Sequence, residues 1–210
     1  MAKIKICGLT NYNDVLQATN LGADFLGFHF IKESPKKISE KALKEYILKL
    51  PPFVIPVGVF LNADKISIEK VLKKTGLKNI QLNGDESPQM CEDFKNAQIK
   101  VFKYFKIEND ESIFAKIETY IGKIDYLVLD FSYSEVEGEE RKYNFELPIK
   151  VQNFGIPFFL SEVKIENIKT AIDKILPFGI DLDCQIERLV KRKDYDKMSK
   201  AIKLSHGLKG

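Results

Sequence analysis

Eight short apolar, β-rich runs recur along the chain, at residues 3–7, 25–30, 55–60, 79–82, 98–102, 126–129, 158–160 and 180–182. Segments with helical spacing lie between them. In 41–50, for instance, Ala42, Leu43, Tyr46, Ile47 and Leu50 share one face, and in 66–77 Ile66, Ile68, Val71 and Leu72 are apolar. Ser39, Asp64, Ser87 and Asp110 stand where helix N-caps are needed, and Gly76 follows the last apolar turn of its segment. Strand and helix alternate at intervals of about 25 residues from end to end, which requires parallel strands with crossover helices rather than hairpins. Eight such units predict a closed (β/α)8 barrel, an α/β fold of the TIM-barrel class. An open doubly wound sheet is the competing arrangement. It usually carries a Gly-rich first turn, whereas here the first strand ends Cys7-Gly8-Leu9-Thr10 with no G-x-G-x-x-G.

The 210 residues suit one domain, and no proline-rich linker or low-complexity tract divides them. A charged fraction of 30% beside 44% apolar residues is that of a globular chain with a sizeable core. Lysine and arginine total 33 against 30 acids, and a dispersed net charge of +3 argues against a nucleic-acid or membrane partner. The same composition is compatible with a monomer or a homodimer. Three widely spaced cysteines, with no apolar h-region at the N-terminus, point to the reducing cytoplasm. His29 and His206 offer no zinc-type spacing, so no metal is expected. The longest irregular stretch, 132–143, carries Glu135, Glu137, Glu139 and Glu140 around Gly138 and reads as a mobile loop after the sixth strand. The tail, 204–210, reads as frayed.

In a barrel of this kind the side chains at the C-terminal ends of the strands converge on one mouth. Cys7 closes the first strand and Asp130 the sixth. Each alone has a plain structural explanation, an inert core thiol or a turn-forming carboxylate. Together they could form a base and acid pair, a thiolate taking a proton from carbon and a carboxylic acid giving one to oxygen. Cys91, in a helical run, reads as packing. Cys184, beside Asp183 after the eighth strand, is near the mouth but has no neighbouring base.

The string Lys5-Ile6-Cys7-Gly8-Leu9-Thr10 resembles the opening of the phosphoribosylanthranilate isomerase family. The likeness continues through Gly27-Phe28-His29-Phe30, Ser34-Pro35-Lys36-Lys37-Ile38, Gly58-Val59-Phe60, Gln81-Leu82-Asn83-Gly84-Asp85-Glu86, Leu129-Asp130 and Gly179-Ile180-Asp181. The resemblance implies a cofactor-free Amadori rearrangement of a small phosphorylated sugar–anthranilate substrate. It makes Asp130 the general acid at the furanose ring oxygen and Cys7 the general base at C2. For those roles the acid should have a raised pKa and the thiol a lowered one. It also marks Lys36, Asn83, Asp181, Ser161, Asp183 and Cys184 as substrate-binding positions.

Several of these positions depart from the family. The resemblance implies a phosphate held by backbone amides of glycine and serine turns after the seventh and eighth strands. This chain reads Ser161-Glu162 in place of Gly-Gly, Asp183-Cys184-Gln185 in place of Ser-Ser-Gly, and the acidic 132–143 stretch in place of a glycine-rich loop. Lys36 replaces an arginine, keeping charge but losing the bidentate fork, and Asn83 replaces a histidine. Glu162 and Asp183 leave the phosphate grip intact if they point to solvent or pair with Lys164, Arg141 or Arg188. If they face the pocket they oppose it. Two further readings therefore stay open: a barrel of this lineage with another small-molecule substrate, and a non-catalytic binding descendant.

Overall fold

A computed structural model describes residues 1–107, 112–130 and 146–208. Eight strands, β1 (Lys3–Ile6), β2 (Phe25–His29), β3 (Ile55–Phe60), β4 (Asn79–Leu82), β5 (Lys100–Lys106), β6 (Tyr126–Asp130), β7 (Phe158–Ser161) and β8 (Gly179–Leu182), pair in sequence order. The barrel closes where β8 lies parallel to β1, with Lys5 opposite Asp181. Helices α1 (Tyr12–Leu21), α2 (Glu40–Ile47), α3 (Lys65–Thr75), α4 (Pro88–Asn96), α5 (Ser112–Glu118), α6 (Glu146–Val151), α7 (Ile168–Ile175) and α8 (Tyr195–Ser205) follow the strands in turn.

The strands read as continuous apolar runs because both of their faces are buried. One set of alternate residues, Phe25, Val57, Phe102, Val128 and Phe159, fills the barrel floor, with Phe25 and Phe159 meeting edge to face at 5.3 Å. The other set, including Ile4, Ile6, Leu26, Phe28, Ile80, Leu82 and Leu160, packs outward against the helices. Continuing the inward alternation upward from that floor puts Cys7, His29, Asn83, Tyr104, Asp130, Ser161 and Asp183 around one mouth.

Local chemistry sets the helix ends. The side chains of Ser39, Asp64 and Ser87 accept from the amides of Ala42, Ser67 and Met90, each such cap stabilising its helix by about 1 kcal/mol. Gly76, at φ 80, ends α3 in the left-handed conformation that a side chain disfavours. Asp110, the acidic stretch 132–143 and Arg141 lie outside the described residues.

Four details differ from the sequence expectation. β5 begins at Lys100, not at residue 98, because Gln98 (φ 61) still turns out of α4. It runs on to Lys106 because Lys103, which looks like a polar stop, is buried with its Nζ donating to the carbonyls of Leu82 and Gly84 and to Glu86. Between β8 and α8 the chain inserts a small antiparallel hairpin, β9 (Glu187–Leu189) and β10 (Arg192–Lys193), too short to show a periodicity. At the C-terminus Leu204 and Ser205 belong to α8, and the amide of Leu208 still donates to Lys203 O at 2.9 Å, so order extends further than expected. No helix among the described residues is long and apolar enough to cross a membrane.

Candidate active site

The mouth of the barrel holds a cavity of about 310 Å³ lined by Cys7, His29, Gln81, Asn83, Tyr104, Asp130, Ser161, Glu162, Asp181 and Asp183. Cys7 from the end of β1 and Asp130 from the end of β6 thus share one wall-to-wall space, as the strand-end argument requires. Asn83, Ser161, Asp181 and Asp183 line it too. Lys36 and Cys184 do not. Lys36 lies behind Asp183, its Nζ 2.7 Å from Asp183 Oδ1 and 2.9 Å from Glu187 Oε1, and the Cys184 sulfur sits 3.5 Å from the same ammonium.

Beneath Cys7 lies a residue that strand-end reasoning passes over. Lys5 is completely buried, and its ammonium donates to Asp181 Oδ2 at 2.8 Å and to Cys7 Sγ at 3.4 Å. Burial works against this cation, but Asp181 and Cys7 together raise its pKa, so it stays charged. For Cys7 the balance runs the other way. Burial pushes the thiol up to about 12 although Lys5 pulls it down, and Asp181 and Asp183 add to the rise. The expected lowering of the thiol pKa is therefore not found, because desolvation of a thiolate outweighs a lysine whose charge is already shared with a carboxylate.

Asp183 heads a four-charge network. Burial alone disfavours its carboxylate, yet Lys193, His29 and Lys36 hold its pKa down to about 2. Lys193, nearly fully buried, donates to Asp183 Oδ1 at 2.9 Å, and its Nζ lies 3.3 Å from Glu187. Thus Asp183 faces the cavity and pairs with Lys36 and Lys193, not with Lys164 or Arg188. Gly8 makes this arrangement possible. It adopts φ 69, and a Cβ there would collide with Asp183 Oδ1 and lie 2.8 Å from Lys36 Cδ.

Glu162 also lines the cavity, hydrogen-bonded by the Gln185 side-chain amide, and burial raises its pKa. Its φ of 58 is the left-handed conformation that glycine tolerates best, so the turn after β7 keeps a glycine-like backbone under a glutamate side chain. Across the cavity Tyr104 donates to Asp130 Oδ2 at 2.5 Å, and burial followed by that bond raises the phenol pKa. Gln81 Oε1 and Asp181 Oδ1, both on residues of the wall, have no hydrogen-bond partner among the described residues. Buried acceptors left in this state fit hydroxyl groups of a ligand.

Gly27 on β2 faces Cys7. A Cβ added to it would lie 2.5 Å from Cys7 Sγ and 3.1 Å from Cys7 Cα, so the neighbouring strands leave room for the thiol only because residue 27 has no side chain. Gly27→Ala is expected to lower stability by about 1–3 kcal/mol through overpacking, read as a reduced denaturation midpoint. An unchanged midpoint would show that β1 moves aside freely.

A family model described as N-(5'phosphoribosyl)anthranilate (PRA) isomerase matches residues 4–204. The chain belongs to the phosphoribosylanthranilate isomerase family. It is 31% identical over 208 residues to the N-(5'-phosphoribosyl)anthranilate isomerase of Gloeothece citriformis, covering 97% of this chain and 94% of that one. The crystal structure of phosphoribosylanthranilate isomerase from Thermotoga maritima superposes with a TM-score of 0.90 at 31% identity, covering 99% of this chain and 100% of that chain. A crystal structure of a phosphoribosylanthranilate isomerase in complex with reduced 1-(o-carboxyphenylamino)-1-deoxyribulose 5-phosphate matches with a TM-score of 0.88 at 30% identity over 99% of this chain and 100% of that chain. Within a phosphoribosylanthranilate isomerase frame, the departures concentrate after β7 and β8, where Glu162 and Asp183 bring two carboxylates into the wall.

Proposed function

We propose that the chain catalyses the Amadori rearrangement of N-(5'-phosphoribosyl)anthranilate to 1-(2-carboxyphenylamino)-1-deoxyribulose 5-phosphate, the isomerisation step of tryptophan biosynthesis, with Asp130 as general acid and Cys7 as general base. The observation that carries this reading is the shared cavity into which both groups project from opposite parts of the barrel. The carboxylic acid of Asp130 gives its proton to the furanose ring oxygen, the ring C–O bond breaks, and the anthranilate nitrogen closes a C=N bond to C1. Cys7, once its thiol proton has passed to solvent, removes the C2 proton as the thiolate, and the C–H electrons form the C1–C2 double bond of an enolamine. Proton return to C1 and loss of the O2 proton complete the aminoketone. No atom is gained or lost, and no cofactor enters. Lys5, 3.4 Å from the sulfur, favours the thiolate when it forms. Gln81 Oε1 and Asp181 Oδ1 suit the ribulose hydroxyls.

The same reading places the chain in the cytoplasm as a monomer or homodimer acting on a small phosphorylated substrate, without nucleic-acid or membrane partners. Free thiols at Cys7, Cys91 and Cys184 suit that compartment. Asn83, Ser161, Asp181 and Asp183 are its substrate-contacting positions, while Lys36 and Cys184, outside the cavity lining, act through the loop that carries Asp183.

The carboxylates of Glu162 and Asp183 favour a second reading, a substrate of this lineage without a terminal phosphate. One unit-charge pair at about 4 Å is worth about 4 kcal/mol at an effective dielectric constant near 20. Asp183 is offset by two lysines, which weakens its repulsion; Glu162 is met by the neutral side-chain amide of Gln185. Loss of anthranilate fluorescence on incubation with phosphoribosylanthranilate is the expected result, and well-folded protein without turnover overturns the first reading. The reduced product analogue is expected to bind more tightly with its phosphate than without it. Equal affinity favours the second reading.

A further inference from the structure

Three ligand-type atoms meet where sequence spacing shows none. Cys7 Sγ, His29 Nε2 and a carboxylate oxygen of Asp183 all lie within 4.8 Å of one another. Sγ is 3.5 Å from Nε2, and Nε2 is 3.7 Å from Asp183 Oδ2. A tetrahedral zinc ion with S, N and O ligands at its usual bond lengths separates those atoms by about 3.3–3.6 Å. Two of the three separations, sulfur to imidazole and imidazole to carboxylate, are thus close to coordination spacing, and a side-chain adjustment brings the sulfur and the carboxylate, within 4.8 Å of each other, onto one ion. We propose that Cys7, His29 and Asp183 form a binding site for a thiophilic divalent cation of the zinc class, whose occupancy blocks the mouth of the barrel.

The surroundings support the assignment. His29 Nδ1 lies 3.1 Å from Ser34 Oγ, a contact that orients the ring with Nε2 toward the cavity, as the outer partner of a metal-bound histidine does. Asp183 uses Oδ1 for Lys36 and Lys193, which leaves Oδ2 turned toward His29. The three side chains come from β1, β2 and the turn after β8, neighbours in the closed sheet, and the cavity gives a fourth position to water. Lys5, Lys36 and Lys193 oppose a cation, but each is matched by an acid, Asp181, Asp183 and Glu187 in turn. When the ion binds, a metal–sulfur bond forms and the Cys7 thiol proton passes to solvent. A soft metal is preferred to magnesium because the site offers sulfur and imidazole.

The test uses the full chain stripped with a chelator and titrated first with Co²⁺ and then with Zn²⁺. One cobalt per chain, with a near-ultraviolet thiolate-to-cobalt absorption that one equivalent of zinc removes, is the expected result. The absorption is expected to vanish in Cys7→Ser and to persist in Cys184→Ser. Zinc affinity is expected to fall at least about tenfold in His29→Ala, since even outer-sphere partners of a metal cost that much. Absence of the band in folded wild-type protein, its survival in Cys7→Ser, or zinc affinity unchanged in folded His29→Ala overturns the site. Circular dichroism of each variant separates loss of the ligand from loss of the fold. Because the readout is spectroscopic, its failure leaves the isomerase reading standing, and failure of that reading leaves the metal site testable.

Discussion

Replacing Cys7 by serine is expected to lower kcat for phosphoribosylanthranilate at least about a hundredfold, the lower end of what a positioned general base contributes. Serine keeps the size and position of the group beside Lys5 and Gly27 but has a far less acidic hydroxyl, so the fold survives while the base does not. Asp130→Asn is expected to cost at least as much, since an amide still accepts from Tyr104 yet has no proton to give at the ring oxygen. The two losses should not multiply, because acid and base serve one rearrangement. Steady-state fluorescence of the anthranilate group measures both. A tenfold loss or less in either folded variant rejects the assigned role.

The largest effect on stability is expected from Lys5→Met. The ammonium sits at 0% exposure against Asp181, so removing it leaves a carboxylate buried beneath the cavity with no cation in contact among the described residues. Breaking one side of such a pair costs about 3–5 kcal/mol, whereas exchanging both partners for apolar groups is often close to neutral. Urea unfolding of Lys5→Met should therefore show a large drop in midpoint, and Lys5→Met with Asp181→Leu should recover most of it. If the double variant is as unstable as the single one, the cost lies in packing rather than in the orphaned charge.

The barrel was legible because its strands announce themselves twice, by apolar runs buried on both faces and by the caps between them. Ser39, Asp64, Ser87 and Gly76 cap where the sequence places them. Cys7 and Asp130 were legible for the same reason, since strand ends face the mouth. Lys5 and Lys103 were not. A lysine inside an apolar run reads as a break or as solvent-facing, and the partner that neutralises Lys5 is 176 residues away, visible only once β8 closes on β1. The partners of Asp183 were missed through locality. Arg188 is nearer to Asp183 in sequence, while Lys36 arrives from the β2–α2 connection, 147 residues away, and Lys193, 10 residues on, is folded back by the hairpin after β8. His29 shows no role in the sequence, because its contacts with Cys7 and Asp183 cross strand boundaries. Gly27 and Gly8 carry no side chain to attract notice, yet each clears the space that a functional side chain occupies.

The seam between the first and last strands governs when this molecule becomes competent during synthesis. A nascent chain presents Lys5 long before the counter-charge at Asp181, 176 residues further on, emerges. Any fragment that ends ahead of Asp181 leaves the Lys5 ammonium without that partner. The wall around Lys5 is therefore electrically complete only once β8 has closed on β1, and an exchange of barrel segments between relatives would have to carry Lys5 and Asp181 together.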